Sequence, residues 1–184
     1  MLKLLFLSIA AAASLVAAGP FAWTQLDGGR YQLTEGGRPV FVYNAGTQIA
    51  NGAPADRERC CYIYPAFTPS GVNPLDDFPK DHWHHHGLFW AWPVVEYDGK
   101  RYDLWMYRGV RHVAGSVDET SASLREARIA ATNYWVAGDR KIVSERIAIS
   151  ATPANGSSRE LAVTLTFDAL DKPVTLRGSQ EQGK

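Results

Sequence analysis

This sequence has almost no cysteine, no surplus of either charge and, beyond its first residues, no long apolar run. Its 2 cysteines are the neighbours Cys60 and Cys61. Adjacent residues close only a strained vicinal ring, so no disulfide framework staples the fold. Two small, partly buried thiols in a strand are the simpler expectation, because free cysteine packs as a small apolar side chain. Lys and Arg number 19, Asp and Glu number 19, and the formal net charge is +0. That balance offers nothing to neutralise a phosphate backbone or an anionic membrane, which sets nucleic acid aside as a partner. Also absent are Gly-x-Ser-x-Gly, a phosphate-binding loop and a dinucleotide fingerprint, so the sequence carries no signal of the corresponding hydrolase and nucleotide chemistries.

What is present suits one domain. The chain has 184 residues, 46% of them hydrophobic and 21% charged, enough to build a core. It opens with Met1-Leu2-Lys3, an apolar run from Leu4 to Ala18, and Gly19-Pro20. One cation, a short apolar region and a small-residue end describe a secretory signal, too short for a comfortable membrane span. The expectation is a signal over residues 1–18 and a mature domain over 19–184, exported to the periplasm or beyond, with no stable membrane span.

Glycine pairs then punctuate the chain. Gly28-Gly29 and Gly36-Gly37 divide Phe21–Asp27, Arg30–Glu35 and Arg38–Asn44 into a three-stranded meander, since such pairs supply the positive φ of hairpin turns. Asp98-Gly99 predicts a hairpin between Leu88–Tyr97 and Lys100–Tyr107. Leu161, Val163, Leu165 and Phe167 alternate with smaller or polar residues, the period of a half-buried strand. Leu124–Val136, Arg140–Ser150 and Pro173–Arg177 read as further strands, with a helical alternative over Ser121–Arg128, where Glu, Arg and Ala favour helix. Many short strands with glycine and proline turns predict an all-β fold, an antiparallel sandwich or barrel-like domain.

The chemistry concentrates in Asp81-His82-Trp83-His84-His85-His86-Gly87, which holds four of the 5 histidines. Imidazoles lose solvation on burial unless both nitrogens find partners, so crowding them without a function is unusual. If the strand containing Leu88 begins early, His82, His84 and His86 share one face and His85 takes the other. On a strand, i and i+2 lie roughly 6.6 Å apart and i and i+4 roughly 13 Å, so one divalent metal would be gripped by two of these histidines. A third ligand would come from His112, Asp81, Asp103 or Glu96. A divalent metal is thus one candidate cofactor, and a metal-dependent oxidoreductase using His82, His84 or His86 is one alternative.

A metal-free reading also fits. Histidine titrates near neutrality, and Asp81 beside His82 could fix its tautomer for proton transfer. Trp83, Phe89, Trp90, Trp92, Tyr62 and Tyr64 lie close in sequence, and aromatic faces beside polar donors suit the apolar C–H faces and hydroxyl rim of a sugar. On this reading His82, His84, His85 and Asp81 are catalytic, Tyr64, His86, Trp90 and Trp92 bind a sugar or oligosaccharide, and the protein is a hydrolase, lyase or epimerase. A non-catalytic glycan-binding module is the remaining alternative.

The stretch Cys61-Tyr-Ile-Tyr-Pro-Ala-Phe-Thr-Pro-Ser-Gly71, with Asp77-Phe-Pro-Lys-Asp-His-Trp-His-His-His-Gly-Leu-Phe-Trp90, resembles a family of exported bacterial proteins called PmoA-like, also known as a domain of unknown function. The resemblance spans roughly the middle third of the chain and implies a large β-sandwich, similar to that of sugar mutarotases, in a setting of carbohydrate utilisation. His86 stands where many members carry arginine, so an anion-pairing role at that position does not transfer. Members are also longer, and the resemblance implies that this chain is an N-terminal fragment, truncated at its C-terminus.

Overall fold

The computed structural model describes residues 20–179, so the signal expected over 1–18 lies outside the described residues. β1 (Phe21–Leu26), β2 (Arg30–Glu35), β3 (Arg38–Asn44) and β4 (Tyr62–Ala66) form one antiparallel sheet in the order β1-β2-β3-β4. The expected meander is there, and both residues of its first turn, Gly28 and Gly29, have positive φ, 73° and 69°. β5 (Val94–Tyr97) and β6 (Lys100–Tyr102) make the Asp98-Gly99 hairpin, joined by β11 (Val174–Arg177) at the other side of β5. The hairpin is shorter than expected, because Leu88 makes only an isolated bridge to Ile63.

The longest strands build the third sheet, ordered β10-β9-β8-β7 from β7 (Val110–Ala122), β8 (Ala127–Ala137), β9 (Arg140–Ala151) and β10 (Leu161–Ala169). The Ser121–Arg128 stretch is the end of β7, a tight turn and the start of β8, not a helix: Ser123 Oγ accepts from the backbone N–H groups of Arg125 and Glu126. Such side-chain capture of backbone donors competes with helix formation and overrides the propensity of the flanking residues. No helix among the described residues is long and apolar enough to cross a membrane.

Strand alternation turns one face of this third sheet inward. Ala127, Ile129, Ala131, Ile147, Ile149 and Ala151 pack there against Phe21, Leu33, Val40, Phe41, Tyr43 and Ile63 of the first sheet. Farther along the same face, Trp135 and Val143 pack with Val95, Tyr97 and Leu104 of the hairpin region. The fold is thus an all-β antiparallel sandwich whose long sheet carries two apolar clusters. Each fully buried Ile among Ile129, Ile142, Ile147 and Ile149 contributes roughly 1.5–3 kcal/mol relative to exposure. β10 forms as expected, but at the sheet edge its Val163 stays 42% exposed, whereas Leu161 and Leu165 reach the first cluster.

Between the clusters lies a buried carboxylate. Asn133 and Glu145 are cross-strand partners of β8 and β9. Glu145 Oε2 accepts from Trp90 Nε1 at 2.9 Å and Trp135 Nε1 at 2.8 Å and lies 3.3 Å from His112 Nε2. Its Oε1 accepts from Asn133 Nδ2 at 3.1 Å, and Asn133 also donates to Tyr43 Oη at 3.1 Å. Burial would raise the Glu145 carboxyl, yet these donors outweigh it and hold the group below its ordinary value.

Candidate functional site

The histidines do not lie on a strand. Pro79 begins a run of turns in which His82 N–H donates to Pro79 O at 2.9 Å and His85 N–H donates to His82 O at 2.8 Å. Phe78 N–H closes the loop on His85 O at 3.2 Å, with Phe78 itself fully buried at a φ of 50°. The alternation expected of a strand therefore fails, and His82, His84 and His86 share no face. Instead His82, His84 and His85 gather: their ring centroids lie 5.8 Å (82 to 84), 4.9 Å (82 to 85, stacked) and 4.4 Å (84 to 85) apart.

His86 turns the other way. It is 2% exposed, packed edge-on to Phe78 at 4.4 Å, with Nδ1 2.9 Å from Asp77 Oδ1. Asp77 Oδ2 accepts from the buried Tyr62 hydroxyl at 2.8 Å. Desolvation holds His86 below the ordinary imidazole value despite Asp77, and it raises Tyr62 far above the usual phenol range, with Asp77 adding to the effect. The neutral imidazole donating from Nδ1 to Asp77 satisfies the buried ring without charging it.

The Asp81–His82 pair anticipated from sequence exists, at 3.1 Å from Asp81 Oδ2 to Nδ1, but on the surface, with side chains 79% and 52% exposed. Asp81 is lowered first by a backbone hydrogen bond and then by His82. His84 is lowered by partial burial, then by the fields of His85, His82 and Arg57, which keeps it neutral at physiological pH. Among the described residues no three His, Cys, Asp or Glu side chains converge where a single ion could sit.

A tryptophan unremarked in the sequence completes this surface. Trp105 is 36% exposed, and its ring lies 6.0 Å from His85 and 6.4 Å from His84. Its loop is closed by paired backbone bonds between Asp103 and Arg108 and capped by Asp103 Oδ1, which accepts from Met106 N–H at 2.9 Å. Two arginines clasp it from below. Arg57 donates to Met106 O at 2.9 Å, and Arg59 reaches Trp105 O at 3.4 Å while its guanidinium stacks between Phe89 and Tyr107 at 4.8 and 4.3 Å.

A family model described as "Family of unknown function (DUF6807)" matches residues 30–184. The chain belongs to this family. No curated protein and no solved structure matches it. The DUF6807 match contains the histidine loop, the Trp105 loop and the Glu145 network, while β1 precedes it.

Within this DUF6807 domain the other expected site residues disperse. Trp90 gives its N–H to Glu145, and Trp92 packs at 5.5 Å on Trp135 and 5.3 Å on Phe167, so both lie partly buried against the core clusters. Tyr64 is half-buried beside Asp77, Asp76 and Asn73, its hydroxyl raised chiefly by burial. Of the ligands considered for a metal, His112 is buried on Glu145, Asp103 caps the Trp105 loop and Glu96 pairs with Arg177 at 3.1 Å. Trp105 and Asp77 are candidate functional residues that the sequence pattern does not announce. Asp77 adjoins the quoted motif, but only a loop that closes on itself brings it to His86. Trp105 sat inside a predicted strand, and strand periodicity hides a loop residue.

Proposed function

We propose that this is an exported, carbohydrate-active protein that seats a sugar on the surface formed by His82, His84, His85 and Trp105. The observation that carries this reading is the exposed Trp105 ring set 6.0 Å from His85 and 6.4 Å from His84. An indole face stacks on the apolar C–H side of a pyranose, and neighbouring imidazoles meet its hydroxyl rim with donors and acceptors. His84, held neutral, is the group suited to accept a proton from a hydroxyl or from carbon. His82, with Nδ1 on Asp81, keeps Nε2 for the ligand. The short apolar N-terminal run and the PmoA-like resemblance of the same loop support export and a role in carbohydrate utilisation.

Isothermal titration against a panel of mono- and oligosaccharides, with product analysis, tests the reading. Saturable binding should weaken by roughly tenfold or more in Trp105→Ala. His84→Ala should lose turnover while retaining much of the binding. Saturable binding with no product would make the protein a glycan-binding module, and no saturable binding to any sugar would overturn the proposal.

A further inference from the structure

Cys60 and Cys61 stand where two opposite requirements meet. Arg59 bridges Gln48 and sends its guanidinium toward the Trp105 loop, whereas Tyr62 opens β4 and points its hydroxyl inward to Asp77. In an extended chain consecutive side chains take opposite faces, and two neighbouring thiols would be held apart. Here Cys61 has a φ of 65°, a left-handed conformation that a residue with a Cβ rarely adopts. Its N–H donates to Asn44 O at 2.7 Å, which fixes the peptide in that orientation. The alternation is cancelled, both side chains are buried at 3% and 2% exposure, and Sγ of Cys61 lies 3.2 Å from Sγ of Cys60.

We propose that Cys60 and Cys61 are an oxidation site that closes to a vicinal disulfide, with a small-molecule disulfide as the oxidant. Such a ring is ordinarily disfavoured because the backbone must adopt an unusual conformation to bring adjacent sulfurs together. In this chain the tertiary structure already brings the two sulfurs to 3.2 Å, with Cys61 held in a left-handed conformation. The Cys60 thiolate attacks one sulfur of the oxidant, whose other sulfur leaves as a thiolate and takes up a proton. Cys61, losing its own proton, then attacks the Cys60 sulfur of the mixed disulfide and expels the second thiol. Two protein thiols lose two electrons and two protons, and the oxidant gains both.

The roles follow from the surroundings. Cys60 is drawn below its ordinary value by the bond from Cys61 and by the Arg59 charge, and Cys61 is held up by burial, so Cys60 is the attacking thiol. Both sulfurs are enclosed in the native fold, so the oxidant reaches Cys60 through local opening at the start of β4, and the finished bond is shielded from reductant once that segment closes. The pair sits between the residue that supports Trp105 and the residue that supports His86.

The test is to refold the full chain with oxidised glutathione or with dithiothreitol, then denature it, alkylate with iodoacetamide and weigh it intact. Oxidative refolding should give a monomer lighter by two hydrogens that takes up no alkyl group, and the dithiothreitol sample should take up two. Cys61→Ser should stop at the mixed disulfide and carry one glutathione on Cys60. Two alkyl groups on the oxidised wild type, or a persistent glutathione adduct on it, would overturn the proposal. Digestion and mass measurement of the fragment holding both cysteines gives the same reading if little protein refolds.

Discussion

Asp77 Oδ1 lies 2.9 Å from His86 Nδ1, and the same carboxylate accepts the Tyr62 hydroxyl at 2.8 Å. One buried acid therefore ties β4 to the loop that presents the other three histidines. Replacing it with alanine strands two buried polar groups, each worth roughly 1–3 kcal/mol when left unpaired. Asp77→Ala should lower stability by about 3 kcal/mol in urea unfolding followed by tryptophan fluorescence. Asp81→Ala, at the exposed pair, should leave the midpoint unchanged. Equal effects of the two would contradict the assignment of Asp77 as the anchor.

A second expectation concerns pH. His86 and His112 are both held below the ordinary 6.5, chiefly by burial. The unfolded chain takes up protons near that value while the folded one resists, so their contribution is complete above about pH 6.5 and is lost as pH falls through the depressed folded values. Glu145, depressed from 4.5, adds a later loss in more acid solution. The urea midpoint should be flat from about pH 8 to 7 and decline below about 6. A midpoint that rises on acidification would show that the two imidazoles gain protons on folding.

Gly87 is the third. A Cβ there would sit 2.1 Å from Ile63 O and 2.8 Å from Tyr64 Cβ, atoms of β4 that cannot retreat without breaking the Ile63–Leu88 bridge. Gly87→Ala should cost about 2–3 kcal/mol and shift the histidine loop, which a change in Trp105 fluorescence would report. At Gly99, where a Cβ meets nothing but φ is +71°, alanine should cost only about 1 kcal/mol through backbone strain. A neutral Gly87→Ala would mean that the loop does not need its close seat on β4.

These contrasts explain what the sequence could disclose. The hairpins at Gly28-Gly29 and Asp98-Gly99 were legible because turn chemistry is local, and β8 to β10 because period-two patterning survives on a long sheet. The histidine loop was found by composition but misread in geometry. The adjacent apolar residues Leu88 and Phe89 suggested extension, whereas Pro79 and the bond from Phe78 N–H to His85 O impose turns. Glu145 looked like one charge in a strand. Its donors come from residues 90, 112, 133 and 135, and no local pattern announces such a convergence.

That convergence makes Glu145 an alignment pin. Apolar faces tolerate sliding, because Ile against Phe and Ile against Leu are worth much the same. A carboxylate with four fixed donors does not tolerate it: one residue of slip between β8 and β9 would bury the charge without Asn133, Trp135 or His112 to meet it. The two apolar clusters are then free to vary in sequence, each on its own side, while the sheets stay in a single alignment.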